Sequence, residues 1–579
     1  NPAAAGPSAA PGAAMASDER AAAILALSVG HLASAIARGD YTAVEVLKAF
    51  RARAEVINEA CNAVTYWIED SEEAARRADE HLQTTGCPLG PLHGVPFTIK
   101  DHLQAKNTVV TMGLLTTRKH LETPRPGRGL RKEKEDEPLV AVLRSLGAIP
   151  FAKTTMTQMG ETWGGGSAAF GDTLNPWDTL RTTGGSSSGE GALVGGGASP
   201  FGIGSDVGGS LRIPASFCGI ATLKPTIGRL AQLFLTPGDY SIAATQGFMA
   251  KSVEDVALLY SWALSPRLFD QLPRLARLPF DHSEFSSDRK LRIGYFTEEY
   301  TTPKPCPTAV RAMEAAIEAL RRAGHELVPF RPDSESVVTR EQLRAADWSF
   351  QVSRRPPRRA EAEGASRAPP RPLPSWVPAE EPVHPDLTAI YSPAHPNMKT
   401  QGVEFVGNEG VLGYLRLMER RDALRARFQA YWRRAGLDAL VCPAWALPAC
   451  HVEEVRTLSK IVETTRVWNF LDLPAGTVPV AQVTEADLRQ PYEPSHPDPE
   501  VNRAARRCLE GAEGLPVSVQ VVAMPWREEL ALRVMREVQA GCPFGVARAA
   551  LQPLPRRSPT LGARPEPVSP PGSAARAKL

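Results

Sequence analysis

The stretch whose reading decides the fold spans residues 182–226, TTGGSSSGEGALVGGGASPFGIGSDVGGSLRIPASFCGIATLKPT. Gly and Ser dominate it, as they would a solvated linker. A linker does not interleave them with Leu193, Val194, Phe201, Ile203, Val207, Leu211, Ile213 and Phe217. Glycine among apolar residues marks backbone that something approaches closely, and the two candidates are a phosphate and an oxyanion.

Three motif readings compete for the segment. Gly202-Ile-Gly204-Ser-Asp-Val-Gly208 is one residue too long for G-x-G-x-x-G, and the chain has no Gly-Lys-Ser/Thr phosphate loop, so nucleotide binding is set aside. Gly185-Ser-Ser187-Ser-Gly189 fits the G-x-S-x-G elbow, but that elbow follows an apolar strand, and residues 178–183 (DTLRTT) are polar. The third reading makes Ser210 a nucleophile after Asp206-Val-Gly-Gly209. It accounts for the most residues.

On these residues the chain resembles the amidase signature family, and within it the fatty acid amide hydrolase branch. The G-G-S-S…G half stands at 184–191, the D-x-G-G-S-x-R-x-P half at 206–214, and a trailing F-C-G…L-K-P-T at 217–226. The lysine turn G-V-P-x-x-x-K-[DE] is matched by residues 94–101. Segments 291–303, 468–480 and 513–530 resemble the branch as well, so the likeness covers roughly residues 27–540. It implies an α/β fold, a large mixed twisted β-sheet flanked by helices on both faces. It also implies hydrolysis of carboxamides, fatty acyl amides or esters among them, through an acyl-enzyme on Ser210 and with no cofactor. Three other readings share the motifs: an amidase of short-chain amides, an amidotransferase A-type subunit moving ammonia from glutamine, and a catalytically silent binding protein.

The resemblance assigns roles residue by residue. Ser210 is the nucleophile, and a free hydroxyl needs a base. Ser186 bridges, held through a cis Gly185–Ser186 peptide. Lys100 is the terminal base and has to be neutral, so its reference pKa of about 10.4 has to fall by about 3 through burial. Phe97 and Ile99 suit a dry site; Asp101 has to point away. The amides of Val207, Gly208, Gly209 and Ser210 form the oxyanion hole, and Asp206 pairs with Arg212 to brace the loop. Gly160, with Glu161 beside it, matches the rim of the branch's acyl pocket, where a carboxylate opposes a long alkyl chain. Ser188 replaces a glycine of the branch. Ser187 and Ser188 read as ordinary turn hydroxyls, Pro214 and Pro225 as structural, Trp526 and Phe470 as core, and His102 is given no role.

Composition narrows the remaining classes. Lys and Arg total 66 against 64 Asp and Glu, net +2, so no overall field points to nucleic acid. Eight cysteines form no C-x-x-C pair, which favours a reducing, intracellular compartment over a disulfide framework. Eleven histidines include no H-E-x-x-H, so no metal site is expected. No run approaches the roughly 20 apolar residues of a membrane span. Residues 1–20, rich in Ala, Pro and Gly, are expected to be disordered and unlike a signal peptide, with the natural start upstream of Asn1 or at Met15.

One amidase domain is expected over 21–544, with surface insertions at 124–138 and 354–385 and a disordered Pro/Arg-rich tail at 545–579. The second insertion is polar where the branch carries membrane-docking helices, which leaves membrane contact open. The terminal Ala577-Lys578-Leu579 resembles a peroxisomal address, an alternative to the cytoplasm. The partner is a small-molecule amide; many members of the branch dimerise, but no residue pattern here points to a homodimer.

Local patterns support the sheet. Thr42-Ala-Val-Glu45 is a capping box opening a helix with Val46, Phe50, Ala54 and Ile57 on one face. Leu139, Val142, Leu143 and Leu146 repeat that spacing before Gly147 and the apolar run 148–151. Strands are expected at 291–296, 326–330 and 517–523. A helix with Val310, Met313, Ile317 and Leu320 in register ends at Gly324, and another is expected over 526–538.

Overall fold

Thr42 Oγ1 accepts from the Glu45 amide at 3.0 Å and Glu45 Oε2 accepts from the Thr42 amide at 2.9 Å, so the capping box opens the helix Ala43–Cys61. Val46, Phe50, Ala54 and Ile57 are all fully buried along it, as the 3.6-residue period requires. This computed structural model describes residues 17–122, 132–230, 232–233, 242–273, 275–334, 336–337, 402–459, 461–542 and 544.

The centre of the molecule is one mixed sheet of twelve strands. Eleven follow one another in space as Val64–Trp67, Ile149–Thr154, Pro96–Lys100, Phe201–Asp206, Ala244–Ala250, Ala221–Lys224, Ala475–Gln482, Pro516–Ala523, Ala439–Pro443, Arg292–Tyr295 and Glu326–Pro329. The two-residue strand Gln232–Leu233 adds to Ala244–Ala250. Pro96–Lys100 is parallel to both its neighbours, and Arg292–Tyr295 likewise, while the pairs between them are antiparallel. Ile149–Thr154, Phe201–Asp206 and Pro516–Ala523 are buried along their whole length, because helices cover both faces. Strand alternation decides what each face receives. Val517, Val519 and Val521 join the main core, whereas Gln520 turns the other way and meets Arg212.

Several expectations are adjusted by a residue or a turn. The helix Ser17–Ala26 begins inside the segment expected to be loose. On Pro307–Arg322 the buried stripe is Ala309, Ala312, Met313, Ala316, Ile317 and Leu320, with Val310 at its half-buried edge, and Gly324 ends the helix at φ +89°. Trp526 is corrected: it is 41% exposed at φ +67°, a left-handed conformation that no helix continues. The last helix therefore starts two residues later, as Glu528–Gly541. Phe470 is buried, in a cluster with Phe296, Phe330, Phe428 and Trp468. The insertion at 354–385, the tail 545–579 with its final tripeptide, and residues 124–131 of the first insertion lie outside the described residues; Pro138 opens the helix Pro138–Ser145. Among the described residues no helix is long and apolar enough to cross a membrane.

Candidate active site

Lys100 closes the Pro96–Lys100 strand, and the pleat turns its side chain inward while Asp101 turns away. Lys100 Nζ lies 2.8 Å from Ser186 Oγ, 3.1 Å from Ser205 Oγ and 3.3 Å from the Ser205 carbonyl. The amine is completely buried, and burial pushes its pKa down to about 7 against the opposing pull of Asp206 and Glu190. Asp101 accepts from the Thr111 amide and hydroxyl, at 3.0 and 2.9 Å, and from the Met112 amide at 2.6 Å. It faces Lys153, whose Nζ donates to the Leu103 carbonyl at 2.6 Å. His102, next in sequence, is kept neutral by burial and by the nearby Lys100 and Lys153.

Two loops meet above this amine. Gly185–Ser186 is a cis peptide, and the helix Ser188–Gly195 follows it. The Ser187 amide donates to the Ser210 carbonyl at 3.1 Å and the Ser187 hydroxyl to the Ser205 carbonyl at 3.3 Å, which locks the Ser186 loop to the Ser210 loop. Ser187 and Ser188 are thus buried, not surface turn hydroxyls. The Thr157 amide donates to the Ser186 carbonyl at 3.4 Å, and Gly160 closes the same turn by donating to the Thr157 carbonyl at 2.9 Å. Gly160 therefore stands at the edge of the site, one turn away from Ser186.

The loop 207–211 is wrapped around Asp206. Asp206 Oδ1 accepts from the Gly209 amide at 2.8 Å and Oδ2 from the Leu211 amide at 3.1 Å. The Gly209 amide, one of the four amides expected to form the oxyanion hole, donates to Asp206 in this structure. Among the described residues no acceptor engages the amides of Val207, Gly208 or Ser210. Arg212 meets Asp206 through two bonds of 3.0 Å and also donates to the Thr465 carbonyl at 2.8 Å and to Gln520 Oε1 at 2.7 Å. Asn469 completes the network with a 2.9 Å bond to Asp206 Oδ1. Burial alone would raise the Asp206 pKa, but Arg212 and Asn469 outweigh it and hold the carboxylate well below its usual range.

The close approaches promised by the glycines are side chains of the site itself. Glu190 is buried beneath Lys100, accepting from Thr98 Oγ1 at 2.5 Å and Thr154 Oγ1 at 2.8 Å. Burial pushes its pKa up to about 8, so near neutrality most of it is an uncharged acid and its pull on Lys100 is weakened. A Cβ on Gly202 would stand 1.7 Å from Glu190 Oε2, and one on Gly204 2.7 Å from Ser187 Oγ. Gly202→Ala is accordingly expected to cost about 1–3 kcal/mol of stability. A denaturant titration checks this, and an unchanged midpoint would mean that Glu190 does not occupy that slot.

Beside the loop lies a cavity of about 240 Å³, walled by Phe296, Tyr300, Phe330, Phe428, Val467 and Trp468. Val207 packs against the same aromatic cluster. Thr465, on the Glu463–Phe470 helix, donates through Oγ1 to the Gly208 carbonyl at 2.7 Å, so one helix touches both the cavity and the Ser210 loop.

A family model described as Amidase matches residues 45–532. The chain belongs to the amidase family. Among its relatives, Fatty-acid amide hydrolase 1 of Sus scrofa is 32% identical to this amidase over 536 residues, covering 89% of this chain and 86% of that protein. Fatty acid amide hydrolase 1 of Caenorhabditis elegans is 31% identical over 525 residues, covering 89% and 88%. A solved structure described as Fatty acid amide hydrolase shares the fold at a TM-score of 0.73 and 23% identity, covering 91% of this chain and 87% of the other. The amidase is thus a hydrolase of carboxamide C–N bonds, built on the amidase signature fold.

Among the residues of the site, Glu190, Ser187, Ser205, Thr465, Asn469 and Gln520 escaped the sequence reading. Glu190 had a signal, an acid in the first turn of a helix inside a Gly/Ser segment. Gln520 and Asn469 had one only in hindsight, as polar residues on otherwise buried elements.

Proposed function

We propose that this amidase hydrolyses fatty acyl amides, and the corresponding esters, through an acyl-enzyme on Ser210. The observation that carries the reading is the 2.8 Å contact between a buried, easily neutralised Lys100 amine and Ser186, on the loop locked to that of Ser210. In this reading Ser210 Oγ attacks the amide carbonyl while its proton passes to Ser186, and the Ser186 proton passes to Lys100. Negative charge then gathers on the carbonyl oxygen, and the amides of Val207, Gly208 and Ser210 are the donors available to it. The proton held by Lys100 returns through Ser186 to the leaving amine. Water enters along the same route to open the acyl ester. Asp206 and Arg212 touch no reacting atom; they fix the loop.

The acyl half of the proposal rests on the aromatic cavity beside Val207 and on the names of the relatives. Turnover of octadecanamide is expected to exceed that of acetamide, with Ser210 labelled by a fluorophosphonate probe and the label blocked by the long amide. Preference for acetamide would overturn the acyl assignment and keep the chemistry. Labelling elsewhere than Ser210 would overturn the chemistry.

A further inference from the structure

Residues 208 and 209 are both glycine, so the peptide between them has no side chain of its own to stop it from flipping. In this structure it is held from both ends. Its N–H donates to Asp206 Oδ1 at 2.8 Å, and its carbonyl, that of Gly208, accepts from Thr465 Oγ1 at 2.7 Å. The same hydroxyl lies 3.2 Å from the carbonyl of Val462, the residue that caps its helix. A hydroxyl has one proton to give, and the shorter contact is the one to Gly208. Thr465 is itself fixed. It is fully buried, and its carbonyl accepts from Arg212 at 2.8 Å. Gly209 stands at φ +129°, and a Cβ there would collide with the Thr465 hydroxyl, so loop and helix touch directly. The next peptide is tied through its carbonyl, since Gly209 accepts from the Ile213 amide at 2.8 Å. A trans peptide sets its C=O and N–H on opposite sides. The Ser210 N–H is therefore turned away from Ile213, and no acceptor engages it among the described residues.

We propose that Thr465 is a positioning residue for the oxyanion loop: its hydroxyl fixes the 208–209 peptide, and with it the direction of the Gly208 and Ser210 amides on either side. The bond from Gly209 to Asp206 alone would act as a pivot, and two glycines impose no other restraint. With the Thr465 hydroxyl at the opposite edge of the peptide plane, one orientation satisfies both its N–H and its C=O. The benefit falls on the transition state. A resting amide carbonyl gains little from the two amides, whereas the oxygen of the tetrahedral intermediate carries negative charge and depends on where they point. Thr465 touches no reacting atom and acts through the loop. The proposal rests on the acyl-enzyme reading above, in which addition of Ser210 creates the oxyanion.

The test compares the wild type with Thr465→Val, which keeps the shape without the hydroxyl, and Thr465→Ser, which keeps the hydroxyl. The substrate is whichever of octadecanamide and acetamide is turned over faster. Rates are taken below each variant's melting temperature and per site titrated with a fluorophosphonate, so that unfolded protein does not count. The second readout is inhibition by the trifluoromethyl ketone of matching chain. Ser210 Oγ adds to its carbonyl carbon, the π electrons move to the carbonyl oxygen and the serine proton leaves for Ser186, so its affinity reports the oxyanion site. Thr465→Val is expected to lose about 10–100-fold in kcat with KM within about threefold of the wild type, and to weaken the ketone by the same factor as kcat. Thr465→Ser is expected to stay within about threefold of the wild type throughout. A folded Thr465→Val with wild-type kcat and ketone affinity overturns the proposal, as does a loss confined to KM. A Thr465→Ser with kcat lowered about tenfold or more overturns it even where Thr465→Val does not fold. Ser210→Ala is the control. Turnover or ketone affinity that survives it overturns the acyl-enzyme reading and the proposal together, whereas loss of both there, with wild-type values in Thr465→Val, overturns the proposal alone.

Discussion

Ser210→Ala, Lys100→Met and the double variant are each expected to reduce kcat for amide hydrolysis by about 10⁴-fold or more, and to lie within about tenfold of one another. Groups that act as one relay lose its whole effect when any member goes, so the losses do not add. The wild-type kcat/KM is expected to rise as pH climbs through about 7, because only the neutral Lys100 amine accepts a proton. Stability follows the same group. The unfolded chain keeps the lysine proton up to about 10.4, whereas the folded chain releases it near 7. The unfolded state thus binds more protons between these values, so stability rises with pH across that window and the burden is full below it. Lys100→Met is therefore expected to be inactive yet harder to unfold than the wild type at pH 6. Additive losses for the two single variants would mean that Ser210 and Lys100 do not work through one relay.

The second large effect is on the loop brace. Arg212→Leu leaves the Asp206 carboxylate buried without its guanidinium, and breaking a buried pair from one side costs about 3–5 kcal/mol. Asp206→Leu together with Arg212→Leu removes both charges. The double variant is expected to recover a large part of that stability in denaturant titrations, because replacing a buried pair by apolar groups is often neutral or better. Activity is not expected to return with it, since the Gly209 and Leu211 amides then lose the carboxylate that shapes the loop. A double variant no more stable than Arg212→Leu would show that the pair matters through packing rather than charge.

What the sequence disclosed follows from the range of each interaction. The capping box at Thr42 and Glu45, the buried face of Ala43–Cys61 and the halt at Gly324 are local, and local spacing exposes them. The motif residues Lys100, Ser186, Ser210, Asp206 and Arg212 were legible because the resemblance carries them as a set, and the structure brings their two loops and the strand end together. Trp526 was misjudged because a large aromatic residue at a helix start reads as core, and nothing local announces φ +67°. The partners of Arg212 were illegible for a different reason. Thr465, Asn469 and Gln520 lie 253, 257 and 308 residues away in the chain, and no pattern within a window of twenty residues can connect them.

That span also sets an order of events during synthesis. The ribosome emits Lys100, Ser186 and Ser210 long before Gln520, one of the side-chain acceptors of Arg212, in the strand Pro516–Ala523. At about 5–20 residues per second the delay is roughly fifteen to sixty seconds. Throughout it the nascent polypeptide lacks Gln520 and cannot yet complete the set of contacts that Arg212 makes. An interrupted translation product ending before residue 516 lacks the strand that pairs with both Ala475–Gln482 and Ala439–Pro443 and is expected to be inactive in an amide-hydrolysis assay.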